Sequence, residues 1–166
     1  MSKDLIIRPV ELKDAEALCT LGRFTLHETF EAPNSKENLD TYLDKSFSLA
    51  NVEAQFKSPP SEFYFATLHK ETVGYLKLNT SDQGLEIESI YGIGSAQGKR
   101  VGKALYTFAH DIAKSKKSAW LWLGVWQENV KAIEFYKRKG MEIFDTRQFQ
   151  LGSELQDDFL MRMRIV

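Results

Sequence analysis

Residues able to do chemistry gather in two stretches. The first is Leu85 to Ala113, LEIESIYGIGSAQGKRVGKALYTFAHDIA. Alternation makes its beginning a strand, with Glu86, Glu88 and Ile90 on one face and Leu85, Ile87, Ser89 and Tyr91 on the other. Gly92 and Gly94 weaken any continuation. After Gln97-Gly98-Lys99-Arg100-Val101-Gly102 the apolar residues recur at helical spacing: Val101, Leu105, Phe108, Ala109, Ile112. A strand thus feeds a helix through a Gly-rich turn that carries Lys99, Arg100 and Lys103. Free backbone N–H groups and the positive end of the helix converge there, which is chemistry for an anion, read here as a diphosphate. Two common phosphate loops do not fit. A Walker A loop needs four residues between its glycines, but Gly94 and Gly98 have three, and Arg100 follows Lys99. A dinucleotide fingerprint needs a third glycine where Gln97 stands.

The second stretch is Trp126 to Met141. Ala132, Ile133, Phe135 and Tyr136 recur at helical spacing, and Gly140 is a natural stop after a basic last turn. Asn129 stands near the helix start, with Tyr136 two turns further along the same face. Taken singly, such an Asn is a cap and such a Tyr is core.

The remaining elements must position these two stretches. Leu5 to Val10 reads as a short strand, with Pro9 placing it at an edge or its end. Asp14 starts a helix whose apolar face holds Ala17, Leu18, Leu21, Thr25 and Phe30, and Cys19 within it reads as a small packed side chain. After Pro33-Asn34, Ser35 caps a helix carrying Leu39, Tyr42, Leu43 and Phe47; a shorter one follows and ends at Pro59-Pro60. Glu28, Glu31, Glu37, Asp40 and Asp44 crowd these helices as a solvated acidic face or a wall attracting a cation. Phe63 to Leu68 and Thr72 to Leu78 are strands around a His69-Lys70-Glu71 turn, and with the organising strand they make an antiparallel meander. Ala119 to Trp126 is apolar on both faces, hence a central strand, with Trp120, Trp122 and Trp126 on one side. Gly124 within it marks a close approach. Strand, helix and interior strand make a parallel crossover. Glu142 to Gln150 and Gln156 to Val166 close the sheet.

At 166 residues, 43% hydrophobic and 27% charged, the chain reads as one soluble domain over residues 1–166. A net charge of −1 gives no field for nucleic acid, and no stretch is long and apolar enough for a membrane span or a leader. One cysteine excludes an internal disulfide and fits a cytoplasmic setting, and no metal-ligand spacing appears.

Gln97 to Gly102 resembles the acetyl-CoA signature of the GNAT superfamily of N-acetyltransferases, with Arg100 where a small residue is usual. N-x-x-A-x-x-F-Y-x-x-x-G from Asn129 to Gly140 resembles a second element of the same superfamily. Thr29-Phe30, Asn34-Ser35, Tyr42-Leu43, Leu85 to Glu88 and Trp122 to Trp126 extend the resemblance over the chain and make it most similar to the bacterial PaiA-type spermidine/spermine N-acetyltransferases. The resemblance implies an α/β (α+β) GNAT fold. That is a mixed, mostly antiparallel sheet with helices on both faces and a splay between the fourth and fifth strands. It implies acetyl-CoA as cosubstrate, no metal, and a small primary amine such as a polyamine as acceptor. A peptide acceptor and a non-catalytic CoA-binding regulatory domain are the alternatives, and the oligomeric state is left open, a homodimer included. The backbone of Ile90, Tyr91 and Gly92 is then expected to pair with the pantetheine amides. Gly98, Lys99, Arg100, Val101, Gly102 and Lys103 are expected to hold the pyrophosphate, and Asn129 to touch the pantetheine arm. If Arg100 needs a positive φ it costs about 1–2 kcal/mol; if it is already helical it is tolerated and pairs with a phosphate, the alternative favoured here.

An alkylammonium has a pKa near 10.4, so on the order of one molecule in 10³ carries a free lone pair at pH 7, a handicap of roughly 4–5 kcal/mol. A proton acceptor near the amine is therefore expected, with Glu86 and Glu88 both open as the base. The resemblance makes Tyr136 the acid that protonates the departing thiolate. His27, His69 and His110 are scattered, so no Cys–His or Ser–His arrangement calls for a covalent intermediate.

Overall fold

The computed structural model describes residues 5–30, 36–57, 61–93, 100–151 and 154–165; the side chains of residues 26, 28–30, 36–38, 42, 46, 149, 151 and 154 are outside that description. In chain order the elements are β1 (Leu5–Pro9), α1 (Ala15–Phe30), α2 (Lys36–Ser46), α3 (Leu49–Phe56), β2 (Ser61–Leu68), β3 (Glu71–Ser81), β4 (Gly84–Gly92), α4 (Val101–Ser115), β5 (Trp120–Trp126), α5 (Val130–Arg138), β6 (Glu142–Leu151) and β7 (Glu154–Arg164). The strands form one sheet in the order β1-β2-β3-β4-β5-β7-β6. β4 and β5 run parallel, joined through α4, and the other neighbours are antiparallel. Pro9, which has no N–H to give a ladder, ends an edge strand. The expected three-residue turn after β2 is tighter: His69 and Lys70 both take positive φ, the geometry of a two-residue hairpin, and Glu71 already pairs.

The two faces of the sheet carry different helices. On one, α4 and α5 bury Val101, Leu105, Ala109, Ile133 and Tyr136 against Leu76, Leu85, Ile87, Leu121 and Leu123. A fully buried Leu or Ile contributes about 1.5–3 kcal/mol, so this layer anchors β4 to β5. On the other, α1 and α3 bury Leu18 and Val52 against Phe63, Phe65 and Tyr75, while Leu39 and Leu43 of α2 meet Tyr91 and Trp126. In α1 the inward small residue is Ala15; Ala17, expected on the apolar face, is exposed. Asp14 does not cap α1. It closes a single 3-10 turn, Leu12–Asp14, where its carboxylate accepts from the Glu11 N–H and Arg8 Nη1, each at 3.0 Å. The cap expected at Ser35 and the break at Pro59-Pro60 lie outside the described residues.

Strict alternation along β4 fails at one residue. Lys77 pairs with Ser89 but Leu78 pairs with Ile87, so Glu88 is an extra residue in a β-bulge. The bulge returns Ile90 to the face of Leu85 and Ile87 and sends Tyr91 to the opposite face, the reverse of the expected assignment. It thereby steers both glutamates toward α3.

Candidate active site

β4 and β5 stay together for three pairs only: Leu85 with Leu121, Glu86 with Trp122, Ile87 with Leu123. From Gly124 to Trp126, β5 continues on β7, while β4 from Ser89 to Gly92 continues on β3. Past Ile87 and Leu123 the facing edges of β4 and β5 part. A cavity of about 1060 Å³ fills the opening. It reaches Gln55 and Phe63 on the α3 side, Asn129 and Tyr136 on α5, and Arg147 and Asp158 on the last two strands.

Glu86 and Glu88 converge on one amide. Asn79 Nδ2 donates to Glu86 Oε1 at 3.1 Å and to Glu88 Oε1 at 2.9 Å. Ser61 donates to Asn79 Oδ1 at 2.7 Å, which fixes the amide with its NH₂ toward the carboxylates. The two glutamates differ in their other partners. Glu88 Oε2 takes an ion pair at 2.6 Å from Lys77, whose side chain is 9% exposed and also donates to Gln55 Oε1 at 2.7 Å. Among the described residues Glu86 has no such partner at contact distance; burial pushes its pKa up, and the Glu88 charge adds to the rise against the Asn79 hydrogen bond and the pull of Arg147 and Lys77. The pair therefore divides into a charge-compensated carboxylate and one nearer to accepting a proton.

Tyr136, on α5, is buried against Tyr106 and Phe135, with ring centroids 6.1 and 5.5 Å away, and lines the cavity. Burial raises its hydroxyl well above the ordinary tyrosine value, with the Tyr106 hydroxyl adding to the effect. Tyr106 is itself pushed up to about 12 by burial. Asn129 is the helix cap after all, accepting the Ala132 N–H at 3.4 Å through Oδ1, and it faces the cavity as well. Gly140 at φ +98 closes α5: its N–H reaches the Lys137 carbonyl and the Met141 N–H reaches that of Tyr136, a Schellman stop.

The turn before α4 is described only from Arg100; Gln97, Gly98 and Lys99 lie outside the described residues. Arg100 corrects an expectation. Its φ of 61° and ψ of 32° are left-handed, not helical, so this position carries the strain that the sequence reading disfavoured. Arg100, Val101, Gly102 and Lys103 line a second hollow of about 410 Å³ with Gly92 and Phe135. A Cβ added at Gly102 meets no atom of the described residues within 4 Å. The N-terminus of a helix of 15 residues, Lys103 beside it and the β4 edge that has left β5 alongside, fit a pyrophosphate followed by an amide-bearing arm. The residues present thus suit coenzyme A.

Lys77, Asn79, Arg147 and Asp158 belong to this site and were not among the sequence candidates. Lys77 had a visible signal, a charge inside the apolar run of β3. Arg147 and Asp158 sit opposite each other on β6 and β7, with Arg147 Nε 3.6 Å from Asp158 Oδ2. Burial raises the pKa of Asp158 against the pull of Arg147. The close approach expected at Gly124 is made by this arginine: a Cβ there would lie 2.5 Å from Arg147 Nη2.

Of the acidic residues expected on the early helices, Asp44 and Asp40 pair with Arg23 at 2.7 Å and His27 at 3.4 Å on α1, while Glu31 and the side chains of Glu28 and Glu37 lie outside the described residues. Cys19 is half-buried beside the second core and its thiol is raised by burial. Of the tryptophans, Trp120 stacks under the Arg162 guanidinium at 4.0 Å and Trp126 packs beside Leu39 and Leu43. No helix among the described residues is long and apolar enough to cross a membrane.

Comparison with known proteins gives the same picture. Residues 25–141 match the profile of the acetyltransferase (GNAT) family. An uncharacterised N-acetyltransferase of Lactobacillus delbrueckii subsp. lactis, from the pepI 3′ region, is 35% identical over 95% of both chains. A spermidine N(1)-acetyltransferase of Thermoplasma acidophilum is 24% identical over 84% of this chain and 89% of its own. The crystal structure of the PaiA N-acetyltransferase from Thermoplasma acidophilum in complex with coenzyme A superposes with a TM-score of 0.82 over 99% of both chains at 23% identity, a likeness of fold. The chain belongs to the GNAT family of N-acetyltransferases, acyltransferases whose cosubstrate is acetyl-CoA.

Proposed function

We propose that residues 1–166 act as one domain that moves the acetyl group of acetyl-CoA to the primary amine of a small molecule by direct attack. The observation that carries this reading is the parting of β4 and β5 after three pairs, with Glu86 on one wall of the opening and Tyr136 on the other. The edge of β4 from Ile90 to Gly92 that has parted from β5, together with Asn129, would hold the pantetheine arm. Arg100, Val101, Gly102 and Lys103 would hold the pyrophosphate, with Gly98 and Lys99 outside the described residues. Acetyl-CoA supplies an activated thioester; everything else falls to the chain.

The amine arrives as an ammonium and must lose a proton before it attacks. Glu86 is the base in this reading. Its pKa is raised, which brings it toward the value at which a general base works best, whereas Glu88 is committed to Lys77. Glu88, Lys77 and Asn79 then act as the frame that aims Glu86. Tyr136 stays protonated at any working pH, so its hydroxyl can donate a hydrogen bond to the sulfur as charge develops there, and the proton follows only as the C–S bond breaks, because burial makes the hydroxyl a weaker acid. Holding both reactants in one opening supplies several kcal/mol through near-attack geometry.

A polyamine is the acceptor favoured by the resemblance of the sequence and by the likeness to a spermidine N(1)-acetyltransferase. Glu86 and Asp158 are the carboxylates it would meet. The cytoplasm, where thiols stay reduced, suits the lone Cys19. The test is thiol release from acetyl-CoA with spermidine, spermine, putrescine, lysine and short peptides. Saturable turnover on a small amine is expected. Turnover on peptides alone would move the activity to protein acetylation, and acetyl-CoA binding without turnover on any amine would refute catalysis in favour of a CoA-binding sensor.

A further inference from the structure

Arg147 is placed for more than balancing Asp158. Its side chain is 42% exposed and lines the cavity that holds Glu86 and Tyr136. Its Nε lies 3.6 Å from Asp158 Oδ2, a long ion-pair contact that pulls on the Asp158 carboxyl, so the pairing engages one edge of the fork and the exposed remainder faces the cavity. A guanidinium carries five N–H donors in a planar fork that matches an anionic oxygen group in two-point contact. The fork lies over Gly124 in β5, where any side chain would collide with it: an added Cβ would stand 2.5 Å from Nη2 and 3.0 Å from the central carbon. Gly124 begins the part of β5 that has left β4, so the guanidinium sits on the floor of the opening.

The charges around it make the point sharper. Lys77 is matched by Glu88 at 2.6 Å, and Asn79 already donates to Glu86. A polyamine could set one ammonium at Glu86 and another at Asp158, but the second would lie beside the Arg147 guanidinium that already faces that carboxylate, and like charges repel. An amine whose other end is negative meets Glu86 at one end and the exposed side of the Arg147 fork at the other. Both Arg147 and Asp158 lie beyond residue 141, where the family match ends, so this assignment rests on the chain's own residues.

We propose that the acceptor is an amine that also bears an anionic oxygen group, a carboxylate or a phosphate, and that Arg147, seated over Gly124, is the residue that binds it. This rests on the acetyltransferase reading and changes the acceptor within it. The amine of such a molecule keeps the same chemistry: the ammonium gives one proton to Glu86, a C–N bond forms to the acetyl carbon, and the C–S bond breaks as the thiolate takes a proton from Tyr136. The second nitrogen proton, released as the amide forms, passes through solvent to restore Tyr136.

The experiment compares kcat/KM for matched acceptors. Lysine and β-alanine are set against their amides, O-phosphoethanolamine against ethanolamine, and spermidine is included, each with wild type, Arg147→Gln and Arg147→Lys. The expected result is a preference for an anionic member over its neutral partner, the carboxylate or phosphate pair identifying the group. Arg147→Gln should cut kcat/KM for that acceptor by about 10- to 100-fold, the scale of a lost charge-assisted hydrogen bond, with its neutral partner within about threefold. Arg147→Lys should keep part of the preference, and a variant that merely folded poorly would lose activity on both partners alike. Equal use of anionic and neutral acceptors, spermidine exceeding all anionic amines with Arg147→Gln unchanged or better, or a raised acetyl-CoA KM as the main effect of Arg147→Gln would each overturn the proposal. Turnover on any acceptor of the panel reports on the acetyltransferase reading separately: turnover without an anionic preference keeps that reading and overturns this one. If every acceptor reaction is absent, that reading falls and this one with it.

Discussion

Glu86 and Glu88 share a hydrogen-bond donor yet should respond to the same substitution in opposite ways. Glu88→Gln removes the charge facing Lys77, whose side chain is 9% exposed. Stripping one partner from a fully buried pair costs about 3–5 kcal/mol. Here the Glu88 side chain is 41% exposed and Gln55 still receives Lys77 at 2.7 Å, which brings the cost to about 1–2 kcal/mol after discounting for solvent. For a chain of this size that lowers the melting temperature by about 2–8 °C. Glu86→Gln keeps the shape and the acceptor for Asn79 and removes a charge that burial disfavours, so it should leave stability unchanged or slightly raised. Because the folded-state pKa of Glu86 is raised, the stability it contributes is complete below the ordinary carboxylate range and is lost as pH rises through the raised value. The melting temperature of Glu86→Gln relative to wild type should therefore climb with pH from about 4 upward.

Activity should divide the other way. Without its base, Glu86→Gln should lose about 10²- to 10⁴-fold in kcat/KM at pH 7. The variant must wait for free amine, which grows about tenfold per pH unit below the amine pKa, so the gap to wild type should close by about that factor per unit between pH 7 and 9. Initial rates and thermal melts across that range suffice. A Glu86→Gln enzyme within about threefold of wild type at pH 7, or a gap constant with pH, would refute the assignment of the base. Loss of activity without loss of stability in Glu88→Gln would show that the two roles had been exchanged.

Three further substitutions test other walls of the opening. Tyr136→Phe should lower kcat by about 10²-fold while the acetyl-CoA KM stays within about threefold, and an effect confined to KM would remove the acid role. Arg100→Gly relieves about 1–2 kcal/mol of left-handed strain and returns about 0.5–1 kcal/mol to the unfolded chain. A net gain of about 0.5–1 kcal/mol should raise the melting temperature by roughly 1–4 °C, and a lower melting temperature would contradict the strained geometry. If its guanidinium also holds a phosphate, the acetyl-CoA KM rises in the same variant. Gly102→Ala adds a Cβ that meets no atom of the described residues, so the helix should gain up to about 1 kcal/mol; KM for acetyl-CoA should rise about tenfold or more, and an unchanged KM would mean that no ligand approaches that backbone.

Much of the fold is legible because periodicity changes cleanly. The passage from alternation in β4 to a 3.6-residue repeat in α4, and again from β5 to α5, marks both elements that build the cosubstrate side. Two neighbouring motifs in a fixed order then carried the family resemblance. The β-bulge at Glu88 was hidden because Ile90 and Tyr91 are both apolar, so a slip of one residue leaves no trace in the pattern. Arg100 was misjudged because helical spacing says nothing about the residue just before the helix begins. Arg147 and Asp158 were out of reach for a different reason. They lie on the two strands that close the sheet, far in sequence from both motifs, and they come to the cavity because β7 inserts between β5 and β6. Lys77 was within reach: a cation in the middle of an apolar strand needs a partner, and Glu88 supplies it.

The most direct test of transfer within a single opening is the initial-rate pattern with acetyl-CoA and a working amine varied together. Direct attack requires both reactants bound at once, so double-reciprocal lines should intersect and no thiol burst should precede the acceptor. Parallel lines, with a stoichiometric burst of thiol before any amine is added, would mean a covalent acetyl-enzyme and would contradict the roles given to Glu86 and Tyr136.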